Sequence, residues 1–322
     1  MSAKHNEKLR FSDSPKRVLV TGGTGFVGKL LVSALLEDGH QVTILTRSPE
    51  QAGQLFKGRV NCVQDMQNLP PDYPIDVVIN LAGARILGWR WTQARQKVLR
   101  DSRIGLIQKV VDWIARAERK PALFLSASAI GYYGIQKIGD QTELNEESPS
   151  QSIFMSSLCR DWEAAARSAG EYGVQVATMR FGLVLGHGGA LPMMLLPIKL
   201  GMGGALGTGK QWMSWIHIED LLRAIAHILQ LTENPAAQHS LKPSYNFTAP
   251  ETVSQLEFSK AAAKVLHRPC FIPTPAWPMR LAMGEQADLL LEGQRVVPEN
   301  LLASGFEFKY PQVESALSQL CS

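Results

Sequence analysis

Thr21-Gly22-Gly23-Thr24-Gly25-Phe26-Val27-Gly28 places three glycines at a spacing that lets a backbone meet a diphosphate. Gly22 permits a tight turn, Gly25 lets a pyrophosphate approach the main chain, and Gly28 allows close packing behind it. A helix starting here offers free N–H groups and a partial positive charge to phosphate oxygens. Two stretches, Gly23 to Leu30 and Gly204 to Gln211, nearly fit a triphosphate-binding loop. Leu30 and Gln211 stand where that loop needs a magnesium-binding hydroxyl, so a triphosphatase is excluded. Further on comes Thr46-Arg47-Ser48, where NAD sites usually carry a carboxylate. A guanidinium pairs with a 2′-phosphate instead, and the expected cofactor is NADP(H). A solvated arginine at a strand end is the alternative.

The elements around these residues predict how they are held. Arg17 to Thr21 is a short β-branched run ending at Gly22, as a buried parallel strand does. Leu30, Leu31, Ala34 and Leu35 then recur at helical spacing, with Gly39 just past the end. Strands are predicted at 42–45, 60–63, 76–81, 122–126 and 174–179. Helices are predicted at 93–117, 155–169, 218–231 and 255–266. Strand followed by helix, repeated, gives an α/β fold: a Rossmann-like doubly wound parallel sheet with a smaller C-terminal α+β lobe. Three parts are expected: a flexible tail over 1–16, a dinucleotide-binding domain over 17–181 completed by later segments, and the lobe over 182–322. Glycines crowd Gly182 to Gly209, forming either a mobile flap over a substrate or tight turns.

The chain has 322 residues, 45% hydrophobic and 19% charged, with a net charge of +4. This is globular composition and gives no sign of nucleic acid or membrane partners. Cys62, Cys159, Cys270 and Cys321 have no metal-ligand spacing. The start lacks a secretory or transit signal, so a reducing cytoplasm is the expected location.

Thr21-Gly22 with Gly25 and Gly28, then Asn80-Leu81-Ala82-Gly83, resembles the cofactor signature of short-chain dehydrogenases/reductases. Tyr133-Gly134, Arg180 to Gly186 and Trp215 to Asp220 resemble landmarks of the extended, epimerase-like branch. Arg90-Trp91-Thr92, Ser102-Arg103, Trp162-Glu163, Leu195-Leu196-Pro197, His267-Arg268-Pro269, Gly284-Glu285 and Gly293 to Pro298 are similar to atypical members known as epimerase family proteins of unknown activity. The resemblance covers nearly everything from Arg17 onward. It implies that Thr24, Gly25, Phe26 and Val27 lie along the pyrophosphate, with Gly22 and Gly28 also in the cofactor site and Thr46 and Arg47 at the 2′-phosphate. Leu81 and Ala82 would pass under the adenine-side ribose, Gly83 would also belong to the cofactor site, and Val184 would approach the nicotinamide. Arg103 would add a second cationic contact, or pair with Asp101 at the surface. A homodimer through helices on one sheet face is a family habit.

Members of that family use a tyrosine and, four residues later, a lysine that assists proton exchange as hydride moves. Here the matching stretch is Ser152-Ile153-Phe154-Met155-Ser156-Ser157-Leu158, with neither residue. The usual serine position falls on Ala129, beside Ser128. The catalytic candidates are therefore Ser128 and Tyr133, with Tyr132 and His217 as further options; Arg180 reads as structural. Two functions follow. One is an NADP(H)-dependent oxidoreductase or epimerase acting on an unknown small or sugar-nucleotide-like molecule. The other is a noncatalytic NADP(H)-binding sensor or scaffold.

Overall fold

The computed structural model describes residues 8–86, 91–233, 241–277, 281, 287 and 291–321. Arg90 and the Gly284-Glu285 pair lie outside the described residues. The chain opens with β1 (Arg17–Thr21), α1 (Phe26–Glu37), β2 (Gln41–Leu45), α2 (Pro49–Leu55), β3 (Val60–Val63) and β4 (Val77–Asn80). It continues through α3 (Gln93–Arg100), α4 (Leu106–Arg116), β5 (Leu123–Ala129), α5 (Phe154–Arg167) and β6 (Gln175–Phe181). These alternate as expected. The stretch read as one helix over 93–117 is split by a π-helical turn at Asp101–Gly105.

Seven parallel strands form the main sheet, in the order β10 (Ser244–Phe247), β6, β5, β4, β1, β2, β3. The seventh, β10, comes from beyond residue 182 and pairs with β6. Side chains alternate between the two faces, as the pleat requires. Val18 and Val20 of β1 join α1 and α7 (Ile218–Glu233) in one core, while Leu19 joins α4 and α5 in another. β1 lies between β2 and β4, so the sequence order of the strands reverses there. Open sheets bind ligands outside the carboxyl ends at such a point.

Residues 8–16 do not form the expected tail. Phe11 is fully buried in the first core, its N–H donates to Asp38, and Gln230 donates to the Arg10 carbonyl. One aromatic among polar neighbours carries no periodicity, yet burying it stabilises by roughly 1.5–3 kcal/mol.

The later part contains β7 (Leu183–Leu185), α6 (Leu191–Lys199), β8 (Trp212–Met213), β9 (Trp215–His217), β11 (Val253–Ser254) and α8 (Gln255–Leu266). Helices Glu299–Ala303 and Val313–Cys321 follow. Leu195, Trp215, Phe258 and Leu317 share a third core. The glycine-rich stretch resolves into close approaches: a Cβ on Gly204 would lie 2.1 Å from the Ile272 carbonyl oxygen. Gly203 pairs with Cys270, and Leu206 with Thr274.

Candidate functional site

The turn after β1 is fixed by backbone contacts that leave no space for side chains. Gly22 has φ +71°, and a Cβ there would sit 2.8 Å from Ala82 N and from the Leu81 carbonyl. A Cβ on Gly28 would lie 2.2 Å from the Gly22 oxygen. The turn thus closes on itself and on the loop after β4, while Thr24 and Gly25 remain exposed at its crest. Thr21 Oγ1 donates to Asn80 Oδ1, and Asn80 Nδ2 donates to Ser126 Oγ, tying β1, β4 and β5 together just below. The Phe26 ring is enclosed by the loop after β7: a Cβ on Gly186, Gly188 or Gly189 would come within 2.7, 2.6 or 3.0 Å of it. Val184, in β7 paired with Ile216 of β9, is half-buried.

At the end of β2, Arg47 is exposed and has no carboxylate partner among the described residues. It lines a cavity of about 590 Å³ with Ser48, Gln51, Cys62, Gln64 and Asn68. Thr46 is half-buried beside it and accepts from Ser48 N. A larger cavity, about 770 Å³, opens at the opposite ends of the strands, near Arg17, Gln41 and Leu123. Its cations are already engaged, Lys16 by Glu233, both Arg17 and Arg119 by Asp76, and Lys120 by the Ala115 and Ala117 carbonyls. It lies away from the glycine turn.

Beyond β4, the loop after Gly83 is pinned by side-chain donors. Arg103 donates to the Ala84 carbonyl, Arg95 to that of Arg85, and Trp91 to that of Ile86. Arg103 is only 4% exposed, lies 4.9 Å from the Trp162 ring, and makes no pair with Asp101. Burial pulls its guanidinium down to about 10.

At the ends of β5, β6 and β10, Ser128, Arg180 and Asn246 stand side by side in register. Ser128 donates to Glu163 Oε1, and Arg180 grips both oxygens of Glu163 at 2.8 and 2.9 Å. Despite its desolvation, Arg180 is held above its usual range by that carboxylate. Tyr133 accepts from Arg180 and donates to Asn246 Oδ1 at 2.7 Å. Burial pushes its phenol up to about 12. Both catalytic candidates, Ser128 and Tyr133, are 2% exposed and committed to these bonds. Tyr132 differs: it is half-buried, has no hydrogen-bond partner among the described residues, and carries the Arg180 guanidinium 3.6 Å from its ring.

At the start of α5, Phe154 meets Trp91 edge-on and Ser157 lies 3.5 Å from Arg100. His217 is buried, accepts from Glu219 N at the start of α7 and meets Gln319, which makes it a helix cap. The sequence reading missed Glu163, Asn246 and Glu146 as members of this floor. Glu163 carried a signal, because helical spacing puts it beside buried Cys159 and Ala166 on the inner face of α5.

Residues 18–242 match the NAD dependent epimerase/dehydratase family, over more than half the chain. The chain belongs to that family. Residues 274–320 match a domain of unknown function, DUF1731. An epimerase family protein of Staphylococcus saprophyticus is 40% identical, over 95% of this chain and 99% of that protein. The chloroplastic SDR39U1 homolog of Arabidopsis thaliana is 39% identical, over 95% and 86%. The crystal structure of human epimerase family protein SDR39U1 with NADPH superposes with a TM-score of 0.81, at 35% identity and 94% and 98% coverage. A nucleoside-diphosphate sugar epimerase of Corynebacterium glutamicum gives 0.73 at 29% identity, over 95% of this chain and 58% of that one. The family and the Rossmann-like sheet are those expected from the sequence.

Proposed function

We propose that this family member is an NADP(H)-dependent oxidoreductase or epimerase acting on a small or sugar-nucleotide-like substrate. The carrying observation is the pairing of a turn too tight for a single Cβ at Gly22 or Gly28 with an unmatched Arg47 beside a cavity. The donor set fits the cofactor: backbone N–H groups for a diphosphate, and a guanidinium for a 2′-phosphate. Gly22, Thr24, Gly25, Phe26, Val27 and Gly28 would hold the diphosphate. Thr46 and Arg47 would hold the phosphorylated adenosine, Leu81, Ala82 and Gly83 would lie under a ribose, and Val184 would lie near the ring. The human relative crystallised with NADPH supports this reading. Four free cysteines suit a cytoplasmic setting.

When bound, the cofactor supplies or accepts hydride. This chain must supply a proton without the family pair. Ser128 and Tyr133 hold the floor, and Tyr132 is assigned the exchange because its hydroxyl is unspent and a cation lies against its ring. A noncatalytic sensor is the second reading, favoured by the closed bonding of Ser128 and Tyr133. Titration of the purified chain by nicotinamide fluorescence tests the first step: saturation by NADPH is expected, and no saturation by either dinucleotide overturns the proposal. Loss of nicotinamide absorbance on a carbonyl panel then separates enzyme from sensor.

A further inference from the structure

The outer side of α6 is apolar where a surface helix is ordinarily polar. Leu191, Leu195 and Ile198 face the third core. Met193, Leu196 and Leu200 recur at helical spacing on the opposite side, 78, 56 and 64% exposed. The stripe continues past the helix. Gly203 pairs with Cys270, which packs against the third core, so the pleat turns their neighbours Met202 and Phe271 outward, 49 and 75% exposed. Gly201, between Leu200 and Met202, lies against the second segment: a Cβ there would stand 3.8 Å from the Pro269 ring. The two segments thus present one apolar face. Contiguous patches of this kind mark contact sites on soluble chains.

Charge decides what the face contacts. The net charge of +4 averages over an uneven distribution. No Asp, Glu, Asn or Gln occurs over 182–210 or over 258–284, the stretches that contain the face. Lys199, Lys260 and Arg268 are exposed there, and none has an ion pair among the described residues. The field of Lys260 reaches the Cys270 thiol, which places that cation beside the paired segment. Glu257 and Glu314, on the helices packed behind, are committed to the Ser254 cap and to Lys264. A protein interface draws on hydrogen-bonding groups at its rim, and these stretches offer no carboxylate or amide side chain. A second copy of the chain fits poorly, because a two-fold contact would set the cations against their own images. A lipid surface asks only for apolar depth and opposite charge. No helix among the described residues is long and apolar enough to cross a membrane, so such contact is peripheral.

We propose that the outer face of α6, continued by Met202 and Phe271, docks this chain on an anionic lipid surface. The apolar side chains enter the boundary between headgroups and acyl chains, while Lys199, Lys260 and Arg268 meet lipid phosphates and carboxylates. Docking is independent of the cofactor reading, since it uses none of the residues assigned to NADPH.

The test is flotation of the intact chain with vesicles of phosphatidylcholine alone, and of phosphatidylcholine with about one-third phosphatidylserine. Binding to the second and not the first is expected, and it should fall as salt rises. Leu196→Glu, at an exposed position, should weaken binding about tenfold, with the melt and NADPH affinity unchanged. Lys199→Gln should weaken it about fivefold. Arg59→Gln, which removes an exposed cation at the β3 edge of the sheet, should leave it unchanged. Failure to float with anionic vesicles overturns the proposal. So do equal losses in Lys199→Gln and Arg59→Gln, which would mean unspecific attraction by net charge. Sedimentation velocity addresses the other occupant: self-association abolished by Leu196→Glu would make the face an interface between copies and overturn lipid docking.

Discussion

The turn after β1 and the floor beneath β5, β6 and β10 are both rich in polar groups, but they use them differently. At the turn, Thr24 and Gly25 are exposed and Arg47 has no acid among the described residues. In the floor, Ser128, Tyr133, Glu163, Arg180 and Asn246 bond mainly to one another, away from solvent. A buried donor bound to an internal acceptor contributes to stability, and little of it is left for a ligand. Residue type alone does not separate the two cases. Bonding does: Ser128 and Tyr133 are engaged within the floor, whereas the groups at the turn stay open.

The largest effect that would break this contrast concerns the two adjacent tyrosines. Tyr132→Phe should cut NADPH consumption on an accepted carbonyl by about 10²–10⁴-fold, the usual worth of a positioned acid, with an unchanged melt. Tyr133→Phe should do the reverse, lowering the melting temperature and sparing turnover. Equal losses of turnover in both variants would erase the distinction. Next comes Arg180→Met, which leaves Glu163 charged and buried; chemical denaturation should show about 3–5 kcal/mol of lost stability.

A smaller effect sharpens the other side. Arg47→Glu should weaken NADPH binding by about 2–3 kcal/mol and leave NADH binding nearly unchanged, as read by fluorescence titration. Equal losses for both would remove the 2′-phosphate assignment. The smallest concerns Glu146, whose carboxyl is pushed up chiefly by burial, with backbone N–H groups of Asn246 and Asn300 opposing. Its folded form keeps the proton to higher pH than the unfolded form does. Its contribution is therefore full below the ordinary carboxyl range and lost as pH rises through the raised folded value. Denaturation midpoints measured from acid to neutral pH should show Glu146→Gln gaining on the wild type as pH rises. A constant difference would contradict this.

The glycine turn was legible because its constraint is local: the spacing of Gly22, Gly25 and Gly28 already states which atoms must touch. The first six strands of the sheet were legible for the same reason, each being a short apolar run with its own boundaries. The seventh, Ser244–Phe247, lies among polar and proline residues, and its burial comes from pairing with β6 and from core partners distant in the chain, Leu301 and Phe306 among them. α6 was hidden by Pro192 and Pro197, one at a tolerated first-turn position and one inside the helix. The floor was invisible because Tyr133 and Asn246 are 113 residues apart. No window of sequence contains both partners. Phe11 failed for the reason opposite to the turn: a single residue, with no pattern around it, is decided wholly by what lies across the fold.

The loop after β5 is stitched to the chain's final tenth. Gln294 donates to the Gly134 carbonyl, Leu144 to that of Arg295, and Asn300 to the Glu146 side chain, the outer pairs separated by 160 and 154 residues. A ribosome releases the loop long before it makes those partners. During synthesis the sheet can assemble while this rim stays loose, and it closes only when the last segment threads home. Residues 294–300 thus clasp a rim that the earlier-made strands leave open.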